Sequence, residues 1–160
     1  FIYSFSFLLL KKSHISFRVS LFETDIFSSV VEMGGSPCYM CAKMRRGALN
    51  QAILDRGMNK LALGHHYDDA VETLFLNMLY GGKINTFQPK MYMDRTDTRF
   101  IRPMIYAYES DVTRACNEAN LPIVISTCPV DKKTERETIK NMLHQMYKQY
   151  PQAKNNFQLM

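Results

Sequence analysis

Two cysteines separated by two residues have the clearest capacity for chemistry in this chain. Cys38 and Cys41 form a C-x-x-C pair, and this gap lets both sulfur atoms turn toward one metal. The pair supplies only half of a tetrahedral site and therefore needs further ligands. Cys128 follows a β-rich run and is the natural third ligand, whereas Cys116 falls on the apolar face of a predicted helix and is expected to pack in the core.

The cysteine spacing alone leaves three chemistries open with equal weight. Three thiolates with a fourth position open suit an iron–sulfur cluster that presents one unprotected iron. A structural zinc would take His65 or His66 as its fourth ligand. A redox dithiol would need no metal at all.

A second concentration of polar groups lies in the run from Gly64 to Thr73, which reads G-H-H-Y-D-D-A-V-E-T. His65, Asp69 and Glu72 are four and three residues apart, so on a helix they share a face. Such a set could transfer protons or hold Mg²⁺. The competing interpretation is a capping box, in which Asp69 and Glu72 only satisfy backbone N–H groups at the start of a helix.

Basic side chains accompany each of these segments and could grip phosphates. The groups are Lys43, Arg45 and Arg46; Lys83, Lys90, Arg95, Arg99 and Arg102; and Lys132, Lys133, Arg136 and Lys140. Solvated protein faces are the commoner fate of lysine and arginine, and that interpretation stays open.

Hydrophobic periodicity predicts the elements that would position these residues. Alternation over Ile15 to Leu21 predicts a strand, Lys60 to Leu63 a short buried strand, and residues 86–103 a hairpin around the polar turn from Asp94 to Thr98. A helix is also predicted from Ala42 to Arg56.

Three further helices are predicted from apolar stripes at helical spacing. Their stripes are Val71, Leu74, Phe75, Met78 and Leu79, ended by Gly81-Gly82; Val112, Ala115, Cys116 and Ala119; and Ile139, Met142, Leu143, Met146 and Tyr147, begun by a Thr134-x-x-Glu137 capping box and ended by Pro151.

The alternation of strands and helices predicts an α/β fold with a mostly parallel sheet and flanking helices. In such sheets, ligands bind beyond the carboxyl ends of the strands. Two predicted strand ends coincide with the unusual residues, because Gly64 to Asp69 follows one strand and Cys128 follows another. We therefore expect a site where these two segments meet.

Bulk properties narrow the class of protein. A chain of 160 residues with 46% hydrophobic content is long enough for one globular domain with a real core. A net charge of +5 permits nucleic acid as a partner. Four cysteines do not make a disulfide framework at this length, which predicts a reducing, cytoplasmic compartment.

The first residues form an atypical segment, 1–14, with an apolar run from Phe1 to Leu10 followed by Lys11-Lys12. That run is too short to span a bilayer, and it lacks the layout of a signal peptide. We expect no membrane partner, and the abrupt start without Met predicts N-terminal truncation.

Together, these segments resemble the tRNA 2-thiocytidine synthetase family of PP-loop ATPases. Pro37 to Ala48 resembles its C-x-x-C-x-x-x-R-R-G-A segment, and Gly64 to Gly82 resembles its G-H-H-x-D-D-x-x-E-T-L-F-L-N-M-x-Y-G-G motif. Pro89-Lys90 and Ile101 to Pro103 match its following hairpin, and Cys128-Pro129 falls at its later cysteine. The resemblance covers residues 15–160, which would form a PP-loop-like tRNA thiolation domain.

This resemblance implies an ATP-dependent sulfurtransferase that converts a tRNA cytidine to 2-thiocytidine with a [4Fe-4S] cluster, ATP and Mg²⁺. It also implies tRNA and a sulfur donor, expected to be a cysteine desulfurase, as partners, and leaves a homodimer open. By position, the implied roles are cluster ligation by Cys38, Cys41 and Cys128; nucleotide binding by Gly64, His65 and Asp69; positioning of the activated base and its leaving AMP by Asp69 and Arg45; and RNA binding by Arg46, Lys90 and Arg102.

Two departures from the family pattern qualify what the resemblance implies. The chain contains no S-G-G-x-D-S loop, so a domain without its phosphate-binding half and without ATP turnover of its own is expected. The usual second cysteine after Cys128 is absent, since Val130 and Asp131 stand there. Two rivals remain, a related 2-thiouridine synthase and a non-enzymatic zinc- or RNA-binding module.

Overall fold

The computed structural model describes residues 37–121 and 134–158, and every structural statement below refers to these residues. The elements are α1 (Pro37–Leu54), β1 (Lys60–Ala62), α2 (Tyr67–Gly81), β2 (Lys90–Met93), β3 (Thr98–Ile101), α3 (Glu109–Glu118), α4 (Glu135–Gln149) and α5 (Ala153–Gln158), with a 3-10 turn at Asp94–Thr96. The predicted strand at Ile15 to Leu21, the β-rich run after Pro122 and the third cysteine, Cys128, lie outside the described residues.

The described strands form a small mixed sheet in the order β1-β3-β2. β1 runs parallel to β3, and β2 pairs antiparallel with β3, which confirms the predicted hairpin. Its turn closes at Asp97, whose φ of 47° is a left-handed conformation that aspartate tolerates. The α/β class is confirmed, and the hairpin supplies the antiparallel pair in a sheet that was expected to be mostly parallel.

Helix α1 begins at Pro37, five residues before the predicted start at Ala42, so that both cysteines lie within its first five residues. Proline suits the first helical position, because its fixed φ matches the helix and its missing N–H would have had no partner there. Helix α1 covers one face of the sheet. The Thr98 hydroxyl donates to Asn50 Oδ1 at 3.1 Å, and Phe100 on the same face is buried.

The main core lies where α2 packs against α4. Its buried members are Tyr67, Val71, Ile139 and Leu143. The predicted stripe of α4 is confirmed, because Met142, Met146 and Tyr147 pack around the two buried residues of that helix.

The stripe predicted for α2 is partly wrong. Met78 and Leu79 are 44% and 60% exposed, whereas Leu76 packs against the core. The buried row follows Tyr67, Val71 and Phe75, which is the i, i+4 ridge that meets α4. Helix α2 ends as predicted, with Gly82 in the left-handed conformation at a φ of 59°.

Two local expectations fail at other helices. Thr134 is the N-cap of α4, and its carbonyl accepts the N–H groups of Glu137 and Thr138, but its side chain makes no capping hydrogen bond. Helix α3 buries no residue, so Cys116 is half-buried on its surface rather than packed in the core.

Candidate functional site

The turn between β1 and α2 carries the first group of predicted site residues, Gly64 and His65. Two backbone hydrogen bonds hold its ends, from Leu63 N–H to the Ile101 carbonyl at 2.8 Å and from Tyr67 N–H to the Ala107 carbonyl at 2.9 Å. The turn therefore lies at the carboxyl edge shared by the parallel strands β1 and β3, as expected.

A capping box closes this turn, but its register differs from the one that the sequence suggested. His66 is the N-cap: its Nδ1 accepts the Asp69 N–H at 3.4 Å, and its own N–H donates to Asp69 Oδ2 at 3.0 Å. Asp69 therefore closes the box that His66 opens, and Glu72 takes no part in it. One oxygen of the Asp69 carboxylate is held by the helix, and the other remains for interactions across the site.

Arg136 at the start of α4 joins the two carboxylates of α2. Its Nη1 lies 2.9 Å from Glu72 Oε2 and 3.8 Å from Asp69 Oδ1, and its Nη2 donates to Thr73 Oγ1 at 3.1 Å. Glu72 is only 5% exposed. Burial raises the pKa of Glu72, and the hydrogen bond and charge of Arg136 counteract that rise.

His65 lies at the centre of the converging charges. Its ring packs 4.9 Å from that of Phe87, and its buried Nδ1 has no hydrogen-bond partner in the described part of the chain. Burial lowers the pKa of His65; Asp69 opposes this effect, and Arg102, Arg136 and Arg45 add to it. Burial and the three arginines therefore favour the neutral form of the imidazole, and the charges around it come from α1, α2, α4 and the residue that follows β3.

The three predicted RNA-binding residues have different surroundings. Arg102 is 8% exposed; its Nη1 donates to the Gln88 carbonyl at 2.5 Å, and its guanidinium lies 4.5 Å from the centre of the Phe87 ring. Burial, and after it the charge of Arg46, lowers the pKa of Arg102. Arg46 and Lys90 are exposed. An RNA contact stays a prediction for all three.

The described cysteines fit the donor chemistry of an iron–sulfur cluster. Cys38 is exposed, Cys41 is half-buried, and both are free thiols. Three residues apart in one helical turn, they share a face at a helix N-terminus, whose partial positive charge suits an anionic cluster. Arg45, four residues after Cys41, follows on that face, and its charge makes the smallest of the three arginine contributions that lower the pKa of His65.

No three histidine, cysteine, aspartate or glutamate side chains gather into a metal site within residues 37–121 and 134–158. His65, Asp69 and Glu72 are neighbours, but Arg136 occupies the carboxylate of Glu72. Any Mg²⁺ here would accordingly rely on Asp69 together with phosphate oxygens of a nucleotide, which is a common arrangement for this ion.

Sequence reasoning missed the part that Arg136 plays, since this residue stood only in a list of basic side chains. The available signal was a glutamate next to Val71 and one turn before Leu76, on the side of α2 that packs against the core, where a buried carboxylate requires a cation from the facing helix. A separate cleft of about 550 Å³, with Glu109, Thr113, His144 and Lys154 among its lining residues, contains none of the predicted site residues.

Within the described residues, no helix has the length and apolar character needed to cross a membrane.

Comparison with known proteins connects this geometry to a family. The model of the PP-loop domain matches residues 11–147. The chain is 40% identical over 146 residues to a tRNA-cytidine(32) 2-sulfurtransferase of Alcanivorax borkumensis, covering 89% of this chain and 51% of that protein. It is 36% identical over 141 residues to the protein of that name in Dechloromonas aromatica, covering 86% and 49%. The chain thus spans about half the length of the curated relatives it matches.

A solved structure shares the fold. The U34-tRNA thiolase NcsA from Methanococcus maripaludis, solved with its [4Fe-4S] cluster, superposes with a TM-score of 0.61 at 22% identity over 77% of this chain and 42% of that chain. This likeness bears on the fold alone, whereas the family model covers most of the sequence. The chain belongs to the PP-loop domain family.

Proposed function

We propose that this chain acts in tRNA thiolation, as the cysteine-bearing part of an ATP-dependent tRNA-cytidine 2-sulfurtransferase that forms 2-thiocytidine. One observation carries the proposal. The cysteine helix α1 and the Gly64–Asp69 turn, which match two separate family motifs, are held by the same small sheet: Asn50 of α1 bonds to Thr98 of β3, and the turn follows β1 at the edge it shares with β3. The relatives named tRNA-cytidine(32) 2-sulfurtransferase match 82–89% of this chain, which supports the same activity.

In this proposal, Cys38, Cys41 and Cys128 hold a [4Fe-4S] cluster. The cluster, when bound, supplies an iron without a protein ligand at which sulfur for transfer can bind. Helix α1 fixes Cys38 and Cys41 relative to Arg45, which lies four residues after Cys41. Cys116, half-buried on α3, has no part in this proposal.

In this proposal, the Gly64–Asp69 turn binds the nucleotide and positions the base. ATP adenylates the 2-oxygen of the cytosine with release of pyrophosphate, and sulfur then displaces AMP. Asp69 holds Mg²⁺ on the nucleotide phosphates, and Arg45 stabilises the leaving AMP through its positive charge. Gly64 and His65 bind the nucleotide, and the neutral imidazole of His65 can take up a proton during the exchange.

Arg46, Lys90 and Arg102 are the proposed tRNA contacts near this site. In this proposal a cysteine desulfurase supplies the sulfur, and the compartment is cytoplasmic. The exposure of Arg46 and Lys90 supports their role. Arg102 would contribute positive charge near the RNA, since its guanidinium is buried against Gln88 and Phe87.

A chimera tests the proposed activity. The segment of the Alcanivorax borkumensis relative that aligns with this chain is replaced by the sequence of this chain, and the hybrid is expressed in a bacterium deprived of its own tRNA-cytidine(32) 2-sulfurtransferase. Mass spectrometry of tRNA nucleosides then measures 2-thiocytidine. We expect the chimera to restore it, the chimera with Cys41→Ala to lose it, and the chimera with Cys116→Ala to retain it.

Other products would refute the proposal in identifiable ways. Formation of 2-thiouridine alone would assign the chain to the related uridine-modifying activity. A stable chimera that forms no thiolated nucleoside, together with zinc in the purified chain, would favour the non-enzymatic binding module.

A further inference from the structure

The two faces of the β1-β3-β2 sheet have opposite characters. Residues that pair across the strands point to the same face. Leu61, Phe100 and Met91 pair in one row and are buried or half-buried on the face that α1 covers. The alternate residues form the other face, which is exposed.

The exposed face carries two cross-strand rows. Lys60 pairs with Arg99, which pairs with Tyr92, and all three residues are exposed. The second row pairs Ala62 and Lys90 with the half-buried Ile101. We call these six residues the open sheet face. It contains three cations and no carboxylate.

Within the described residues, Lys60, Lys90 and Arg99 make no ion pair with a carboxylate. Tyr92, in contrast, is oriented. Its hydroxyl donates to Asp97 Oδ1 at 2.7 Å, and the Arg99 guanidinium carbon lies 5.8 Å from its ring centre. A half-exposed, fixed aromatic ring among unpaired cations is suited to nucleic acid, because it offers a stacking surface beside phosphate contacts.

The open sheet face also leads to the candidate site. β1 and β3 run parallel, so their carboxyl ends reach the same edge, where Gly64 and His65 follow β1 and Arg102 follows β3. The Ala62 row is next to this edge, and the Lys60 row lies two residues, or about 6.6 Å, further back along the strands. A strand of RNA laid across both rows would reach the turn that carries His65.

We propose that the open sheet face is the surface on which the phosphodiester backbone of the RNA substrate docks, with Lys60 and Arg99 as phosphate contacts and Tyr92 as a stacking platform. This inference rests on the proposed function for the identity of the RNA. Charge complementarity selects RNA over a protein partner, since charged side chains are depleted at the centres of protein–protein interfaces.

Salt dependence of binding tests this inference in the full chain. Affinity for unfractionated tRNA is measured by fluorescence anisotropy between 50 and 300 mM KCl, a range over which the screening of surface charges increases. Each lost phosphate contact lowers the slope of log affinity against log salt by about 0.7 to 0.9. We therefore expect K60A/R99A to lower the slope by about 1.5 and to weaken binding at every salt concentration.

The matched control removes the same two residue types elsewhere. Arg114 on α3 and Lys148 on α4 are exposed and lie outside the sheet, so R114A/K148A should keep the wild-type slope. Thermal unfolding of both variants checks that the fold is intact. The conservative K60R/R99K variant keeps both positive charges and should therefore keep the wild-type slope.

Two results would overturn the inference. One is an unchanged slope in a folded K60A/R99A variant, and the other is an equal loss in the control. Failure of the proposed function would show separately, because a chain that holds no iron–sulfur cluster would still bind tRNA through this face with the stated change of slope.

Discussion

Replacing Arg136 with alanine should destabilise the protein much more than removing an ordinary surface ion pair. Arg136 is the partner that the structure gives to the buried Glu72 carboxylate, at 2.9 Å. Without it, Glu72 must either remain charged inside the α2–α4 packing or take up a proton. Both outcomes cost free energy of folding.

The magnitude follows from the unequal burial of the two partners. Breaking a buried pair costs about 3–5 kcal/mol, and an exposed pair contributes about 0–1 kcal/mol. The Glu72 side chain is 7% exposed and that of Arg136 is 43% exposed, so the pair lies between these limits. We expect the free energy of unfolding to fall by about 2 kcal/mol, which corresponds to a Tm lower by about 6 °C in a chain of this size.

Thermal unfolding with a matched control measures this cost. Arg114→Ala breaks the Arg114–Asp111 pair, which has a similar distance of 3.0 Å but side chains 69% and 47% exposed, and should change the Tm by about 2 °C or less. The double variant Arg136→Ala with Glu72→Gln should be more stable than Arg136→Ala alone, because it leaves no buried charge without a partner. Equal small losses for Arg136→Ala and Arg114→Ala would refute this reasoning.

The same ion pair predicts a dependence on pH. Burial raises the pKa of Glu72, so the native protein holds this proton more readily than the unfolded chain, and the stability falls as the pH rises above the ordinary pKa of the carboxyl. Arg136 limits that fall. The stability difference between the wild type and Arg136→Ala should therefore be smaller at pH 5 than at pH 8, and a constant difference would contradict the assignment.

Two further predictions concern the ends of α2. Gly82→Ala forces a side chain into a φ of 59° and should lower the free energy of unfolding by about 1 kcal/mol. Gly81→Ala, with an ordinary φ and open space around it, should be neutral or stabilising. Urea unfolding compares the two variants, and equal effects would contradict the left-handed cap. His65 has a lowered pKa, so the unfolded chain binds its proton more readily and stability should rise as the pH increases through 6.5. His65→Gln should remove that rise in the urea midpoint between pH 5.5 and 7.5, and a variant with the wild-type rise would contradict the burial of this imidazole.

Elements with strong local signals could be predicted from the sequence. The stripe from Ile139 to Tyr147 located α4, because its apolar residues recur three and four positions apart and the helix packs on one side only. The hairpin around residues 94–98 was also predictable, since polar turn residues separate two alternating runs. These features depend on residues near each other in the chain.

Features that depend on tertiary partners were not predictable in the same way. Glu72 was placed on a polar face with His65, whereas α4 covers it and supplies Arg136. Met78 and Leu79 fit a helical stripe but extend beyond the core that α4 provides. Which side of an amphipathic helix is buried is decided by the facing helix, and the sequence of α2 alone does not contain that information.

The candidate site was predictable in its residue types and less so in its geometry. Spacing identified Cys38 and Cys41, but the helix was predicted to begin after them, at Ala42, whereas Pro37 is its first residue. In the same way, the capping box was assigned to Asp69 and Glu72, although a histidine, His66, is the N-cap. Histidine is an uncommon N-cap, and the usual preferences therefore pointed to the aspartate.

The metal content of the chain tests the central claim most directly. After anaerobic purification and reconstitution with iron and sulfide, iron and acid-labile sulfide are measured per folded chain for the wild type, Cys38→Ala, Cys41→Ala, Cys128→Ala and the control Cys116→Ala. We predict about four irons and four sulfides in the wild type and the control, and loss of both in the other three variants. Zinc in place of iron, no metal in a folded chain, or a cluster that depends on Cys116 and not on Cys128 would contradict the account.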